Sequence, residues 1–168
     1  MRRIAIILLI LVGFISCKSK KNVVTKKNTA KTTKTITTNN SKLATKIINN
    51  AKQFEGVKYK YGGTTSKGMD CSGLIYIAFK KENISIPRIS RDMAIQGNWV
   101  DIKKVEKGDL LFFATKKNSR KINHVGLVVS SRVGRIEFIH STTSKGVITS
   151  SLAERYWYYA FVQARRVL

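Results

Sequence analysis

The apolar positions of this chain change period along its length, and each change marks a different kind of element. An unbroken apolar run from Ile4 to Val12, continuing through Gly13-Phe14-Ile15, follows the cationic start Met1-Arg2-Arg3. A charged start, an apolar stretch of this length and a small residue at Ser16 form the pattern of a secretory signal peptide, too short for a membrane-spanning helix. Residues 18–41 then leave Val23, Val24 and Ile36 isolated among Lys, Thr, Asn and Ser. Such a stretch buries too little to offset the entropy of ordering it and reads as a disordered tether.

Helical spacing begins at Leu43 and runs through Ile47, Ile48, Ala51 and Phe54, with Ser41 as the expected N-cap and Gly56 as the stop. A Gly-rich loop with Tyr59 and Tyr61 leads to a second apolar block, Leu74 to Phe79, right after Cys71-Ser72-Gly73. This block reads as a buried helix ending near Glu82, and a short helix is expected over Ser90–Gln96. From there the period shortens. Leu110–Ala114, Val125–Ser130, Arg135–His140, Gly146–Ser150 and Tyr158–Val167 are β-prone runs, with Arg132-Val133-Gly134 turning a hairpin between the second and third. Helices first and consecutive strands after predict an α+β domain with an antiparallel sheet. The expected divisions are 1–16 signal peptide, 17–41 tether and 42–168 folded domain.

Charge changes this picture in one respect. Lys18 to Lys46 hold nine lysines and no acid, while residues 47–168 hold 21 basic and 9 acidic residues, a net +12. A basic surface suits acidic partners such as anionic lipid or wall polymer; export argues against nucleic acid. The two cysteines, Cys17 and Cys71, carry more information. Cys17 follows Phe14-Ile15-Ser16, which resembles the lipobox of bacterial lipoproteins, with Phe14 where Leu is usual. Lipidation there implies a membrane anchor on the N-terminus and a domain working outside the cytoplasm. Cys71 is then a lone thiol in an exported protein, which points to reactivity.

Cys71 lies where a loop meets a helix, and the positive end of a helix dipole lowers a thiol's pKa. Asp70 opposes this unless a cation sits beside it. The bland alternative is a small buried hydrophobe. His124 and His140, the only histidines, lie near the open ends of the hairpin strands. Antiparallel partners in that hairpin have numbers summing to about 265–267, which brings the two rings to one end. That suits a base whose second ring nitrogen is held by a polar group, although both could be structural. A zinc site lacks close ligand spacing, and no cofactor is expected.

Six strings together resemble the NlpC family of bacterial cell-wall peptidases: Gly56-Val57-Lys58-Tyr59-Lys60-Tyr61-Gly62-Gly63, Met69-Asp70-Cys71-Ser72-Gly73-Leu74, Ile86-Pro87-Arg88-Ile89-Ser90, Lys107-Gly108-Asp109-Leu110-Leu111-Phe112-Phe113, His124-Val125-Gly126-Leu127, and Phe138-Ile139-His140-Ser141 followed by Gly146-Val147. The resemblance implies a papain-like fold and cleavage of peptidoglycan stem peptides, commonly at the γ-D-glutamyl–diamino acid bond, by a monomeric enzyme. It places the nucleophile on Cys71, the base on His124 and the orienting group on His140. It offers Tyr59 as a helper at the oxyanion site and Asp70, Ser72 and Ser90 as substrate contacts. Ile89 and the lysine-rich loop Lys116–Lys121 depart from the family pattern. The rival readings are an inactive wall-binding lipoprotein, a thiol-dependent amidase or acyltransferase of the same fold, and a basic adhesin for anionic polymers.

Overall fold

The structure, a computed structural model, describes residues 27–168, with side chains from residue 38 onward. The expected signal peptide, Cys17 and the start of the tether lie outside the described residues. The first element is helix α1 (Lys27–Lys52), so the helix starts well before the expected cap. Ser41 lies inside it, its carbonyl accepting a 2.9 Å hydrogen bond from Thr45 Oγ1. No Gly or Pro interrupts residues 27–52, so nothing local stops the helix from extending. Packing, in contrast, starts where the apolar period does: residues 38–42 are exposed, Leu43 is half-buried and Ala44 is buried.

A two-stranded ribbon, β1 (Thr64–Thr65) and β2 (Gly68–Met69), delivers the chain into helix α2 (Cys71–Lys80). This second helix is apolar almost all round and is buried from Cys71 through Ile75, as a central core helix must be. Next come α3 (Ser90–Met93), β3 (Asn98–Val100), β4 (Leu110–Phe113), β5 (His124–Arg132), β6 (Arg135–Thr142), β7 (Gly146–Ser151), α4 (Arg155–Ala160) and β8 (Phe161–Arg166). The larger sheet has the order β3-β8-β4-β5-β6-β7, antiparallel at every pairing. Helices α1 and α2 on one face of an antiparallel sheet, with the short α4 on the other, give the α+β class read from the sequence.

Two differences concern the C-terminal third. The expected strand Tyr158–Val167 begins as helix α4 and becomes extended only at Phe161. Trp157 and Ala160 are buried while Tyr156, Tyr158 and Tyr159 are exposed. That three-residue spacing is helical, but aromatic content mimics a strand. The edge strand β3 has only Val100 buried, too short a pattern to register.

The sheet has two dry faces. Val125, Leu127 and Ile139 pack with Ile47, Leu74 and Phe79 from α1 and α2. Leu111, Phe113, Val128 and Phe138 pack with Trp157 of α4 on the other side. Strand alternation assigns each side chain to its face. The β5–β6 register is Leu127 opposite Ile139 and, past an irregularity between Val128 and Ser130, Arg132 opposite Arg135. These pairs lie within the spacing expected for the hairpin, and they set the two histidines near one end of the sheet.

Candidate active site

The Cys71 half of the site is assembled by charged hydrogen bonds. Asp70 is the N-cap of α2 in extended conformation, its Oδ1 accepting from the Gly73 N–H at 2.6 Å, which satisfies a helix donor that would otherwise lack a partner. Arg88 grips the same carboxylate with two parallel bonds, 3.0 Å to Oδ1 and 2.8 Å to Oδ2. It also donates to Ser72 Oγ at 2.9 Å. The Gly62 N–H donates to Asp70 Oδ2 at 2.8 Å, and Ser72 Oγ donates to Oδ1 at 3.2 Å. Arg88 is the cation that Asp70 needed. A Cβ on Gly73 would collide with the Gly63 carbonyl, so the glycine lets the loop close over the helix start. With its acceptor sites occupied from within the chain, Asp70 fixes the turn that carries Cys71, and Ser72 belongs to the same network.

The His124 half is assembled by aromatic packing. His124, the first residue of β5, places Nε2 2.9 Å from His140 Nδ1. His140 continues the chain through Nε2 to Ser150 Oγ at 3.0 Å. Trp157 stacks on His124 with ring centroids 5.2 Å apart and meets His140 edge-on at 4.6 Å. Phe138 lies 4.7 Å from His140 and Phe113 6.0 Å from His124. His140 and Ser150 are both buried.

The two halves face one cavity of about 400 Å³, whose lining includes Tyr59, Cys71, His124, Ser150 and Trp157. The thiol, 8 % exposed, is free, and the backbone N–H of Val125, next to His124, interacts with it. Cys71 and His124 therefore line one cavity, and His124 lies beside His140 as the hairpin spacing predicted. A second cavity, about 810 Å³, reaches Cys71 from the side of Arg88, Ser90 and Asp70. Ser90, buried at the start of α3, belongs to that side. Among the described residues, no group of three or more His, Cys, Asp or Glu could hold a metal ion.

The thiol differs from expectation. Burial is the largest influence and pushes its pKa up; the Val125 N–H acts against this and the Asp70 charge adds to it. The helix start gives only the lesser opposing pull of the Ser72 and Cys71 N–H groups. Burial also lowers His124 to about 4, and burial with the neighbouring His124 lowers His140 to about 3. Burial thus disfavours a charge on either Cys71 or His124 taken alone. Burial, then the charges of Cys71, Asp70 and Tyr61, raise the Tyr59 hydroxyl, which keeps it a hydrogen-bond donor.

The NlpC/P60 family pattern matches residues 56–166, which include Tyr59, Cys71, His124, His140 and the whole larger sheet. The chain belongs to the NlpC/P60 family. Within that family it is 35% identical over 130 residues to an Escherichia coli protein named Murein DD-endopeptidase MepS/Murein LD-carboxypeptidase, covering 77% of this chain and 65% of the relative. It is 37% identical over 121 residues to the Bacillus subtilis Gamma-D-glutamyl-L-lysine dipeptidyl-peptidase, covering 71% of this chain and 40% of that protein. The crystal structure of an NlpC/P60 family protein from Bacillus cereus superposes with a TM-score of 0.68 at 32% identity, over 74% of this chain and 40% of that one. The chain thus spans less than two thirds of the length of these proteins. Membership in the NlpC/P60 family accounts for the six strings read from the sequence; Arg88, Ser150 and Trp157 had no role assigned by that reading.

Proposed function

We propose that this chain is a peptidoglycan hydrolase, a cysteine-type peptidase that cuts amide bonds in wall stem peptides. The observation that carries the reading is that Cys71 and His124 line one cavity while His124 is linked to His140 and His140 to Ser150 behind it. For His124 Nδ1 to take the thiol proton, Nε2 must bear hydrogen and donate to His140 Nδ1. His140 then bears its own hydrogen on Nε2 and donates to Ser150 Oγ. The sulfur attacks the amide carbon as the proton passes to His124 Nδ1. Backbone N–H groups at the start of α2, with the Tyr59 hydroxyl, face the developing oxyanion. His124 returns the proton to the leaving amine, and water releases the acyl-enzyme.

The scissile bond in this reading is γ-D-glutamyl to diamino acid, supported by the activity named for the Bacillus subtilis relative. The Escherichia coli relative is named for other murein bonds, so the family likeness alone does not select the bond. Lipidation at Cys17 and a location on the outer side of a membrane complete the proposal, supported by the apolar start and the lipobox-like residues Phe14 to Cys17. Incubation of the purified chain with defined muropeptides, followed by mass spectrometry, tests the reading. New stem-peptide termini should appear with the unaltered chain and vanish with Cys71→Ala. Undiminished cleavage by that variant would refute it.

A further inference from the structure

One loop borders every cavity around the nucleophile. The segment between β4 and β5 gives Thr115 and Asn123 to the catalytic cavity, Lys116 and Ile122 to the Arg88-side cavity, and residues 115–120 to a third cavity of about 800 Å³. The third cavity joins the catalytic one at Thr115 and Tyr156. Its lining includes Lys116, Lys117, Arg120, Arg155 and Tyr159, and no carboxylate. Among the described residues, none of these four cations forms an ion pair; Arg155 instead lies over the Tyr159 ring, 6.0 Å from its centroid.

Lysines on a loop are ordinarily a solvated fringe, but this loop is fixed at its base. The Thr115 N–H donates to Asn123 Oδ1 at 2.8 Å and Asn123 Nδ2 donates back to Thr115 Oγ1 at 2.8 Å. A turn at its tip has Asn118 in the left-handed region (φ +58), which asparagine tolerates. The Ser119 N–H donates to the Lys116 carbonyl at 3.2 Å, closing that turn. Like charges converging on one cavity repel one another, and an anion relieves that repulsion. Exposed Tyr156 and Tyr159 add aromatic surface and hydroxyl donors.

We infer that this cavity is a carboxylate-binding shelf for the leaving side of the stem peptide. The inference rests on the peptidoglycan reading and deepens it. Direction follows from the catalytic groups: His124 protonates the leaving amine, so the leaving portion lies on the His124 and Trp157 side of the cleft. Tyr156 and Thr115 connect that side to the shelf, whereas Arg88 and Asp70 lie on the other. The portion of a stem peptide released there ends in a free carboxylate. Lys117, Arg120 and Arg155 set a preference for that group as an acid over its amide.

Two muropeptides test this, identical except that the leaving-side carboxylate of one is a carboxamide, each used with the full chain and with Lys117→Gln/Arg120→Gln. Amidation should raise KM of the unaltered chain about fivefold, and the double variant should raise KM for the acid by a similar factor with kcat kept. The amidated peptide should not sense the variant. Equal KM values for acid and amide in the unaltered chain, or an equal effect of the variant on both, would overturn the shelf. Direct titration of both peptides into Cys71→Ala separates the two ideas. Acid-selective binding without turnover by the unaltered chain refutes the peptidase reading and keeps the shelf. Turnover without acid selectivity does the reverse.

Discussion

The two halves of the site are held by opposite physics. Around Cys71, a carboxylate, a guanidinium and backbone N–H groups form a ring of charged hydrogen bonds. Around His124 and His140, a tryptophan and two phenylalanines pack against the rings, and a short polar chain runs between them. The first arrangement fixes a backbone turn, for which charge is suited because the helix start already offers aligned donors. The second fixes the planes of two rings, which contacts between flat surfaces do without charging either ring.

Removal of the acid should separate the halves most sharply. Asp70→Ala leaves Arg88 facing an uncompensated, largely buried site and uncaps α2, at a cost of about 4 kcal/mol. Urea unfolding measures it; a loss below about 1 kcal/mol would mean that packing, not the clamp, holds the nucleophile's half.

Acid should reach the other half first. Above the ordinary histidine value of 6.5, both rings are neutral whether the chain is folded or not, and neither biases stability. As pH falls from 6.5 toward 4, the unfolded chain takes protons that the folded one refuses, because burial holds His124 at about 4. About 3 kcal/mol should be lost from His124 alone by pH 4. Asp70 is held below its ordinary 3.8; the Arg88 and N–H bonds outweigh the burial that would raise it. Its contribution therefore persists until pH falls under about 4. Urea midpoints at pH 7, 5.5 and 4 should decline, and His124→Gln should make the decline shallower without abolishing it, because His140 is also held low by burial; a level profile in the unaltered chain would mean the rings are wet.

The smallest effect concerns the end of the polar chain. Ser150→Ala removes the acceptor that selects the His140 tautomer, and kcat should fall about fivefold, the equivalent of one ordinary hydrogen bond. Ser150→Thr should restore both kcat and its pH profile. An unchanged kcat in the alanine variant would confine Ser150 to packing.

Much of this was legible in the sequence, for identifiable reasons. The hairpin arithmetic placed His124 beside His140 because strand pairing is a counting rule, and the turn at Val133-Gly134 supplied its origin. Cys71 at a helix start followed from the apolar block after Ser72-Gly73. The demand for a cation near Asp70 was also readable, but not its address: Arg88 lies 18 residues on, and no local period connects the two. Trp157 was hidden more deeply, since Tyr156 to Tyr159 resemble a strand until the sheet decides which of them it buries. The thiol's direction of shift was misread because a dipole can be placed from sequence, whereas burial needs the fold.

The Ser141 hydroxyl donates to the Met69 carbonyl at 2.8 Å, from a residue adjoining His140 to one two places before Cys71. This bond is a strut between the layer that carries the base and the layer that carries the sulfur. Sliding one layer over the other stretches it before it alters anything in the reaction path. The two layers are thus pinned together at the wall of the cavity that Cys71 and His124 share.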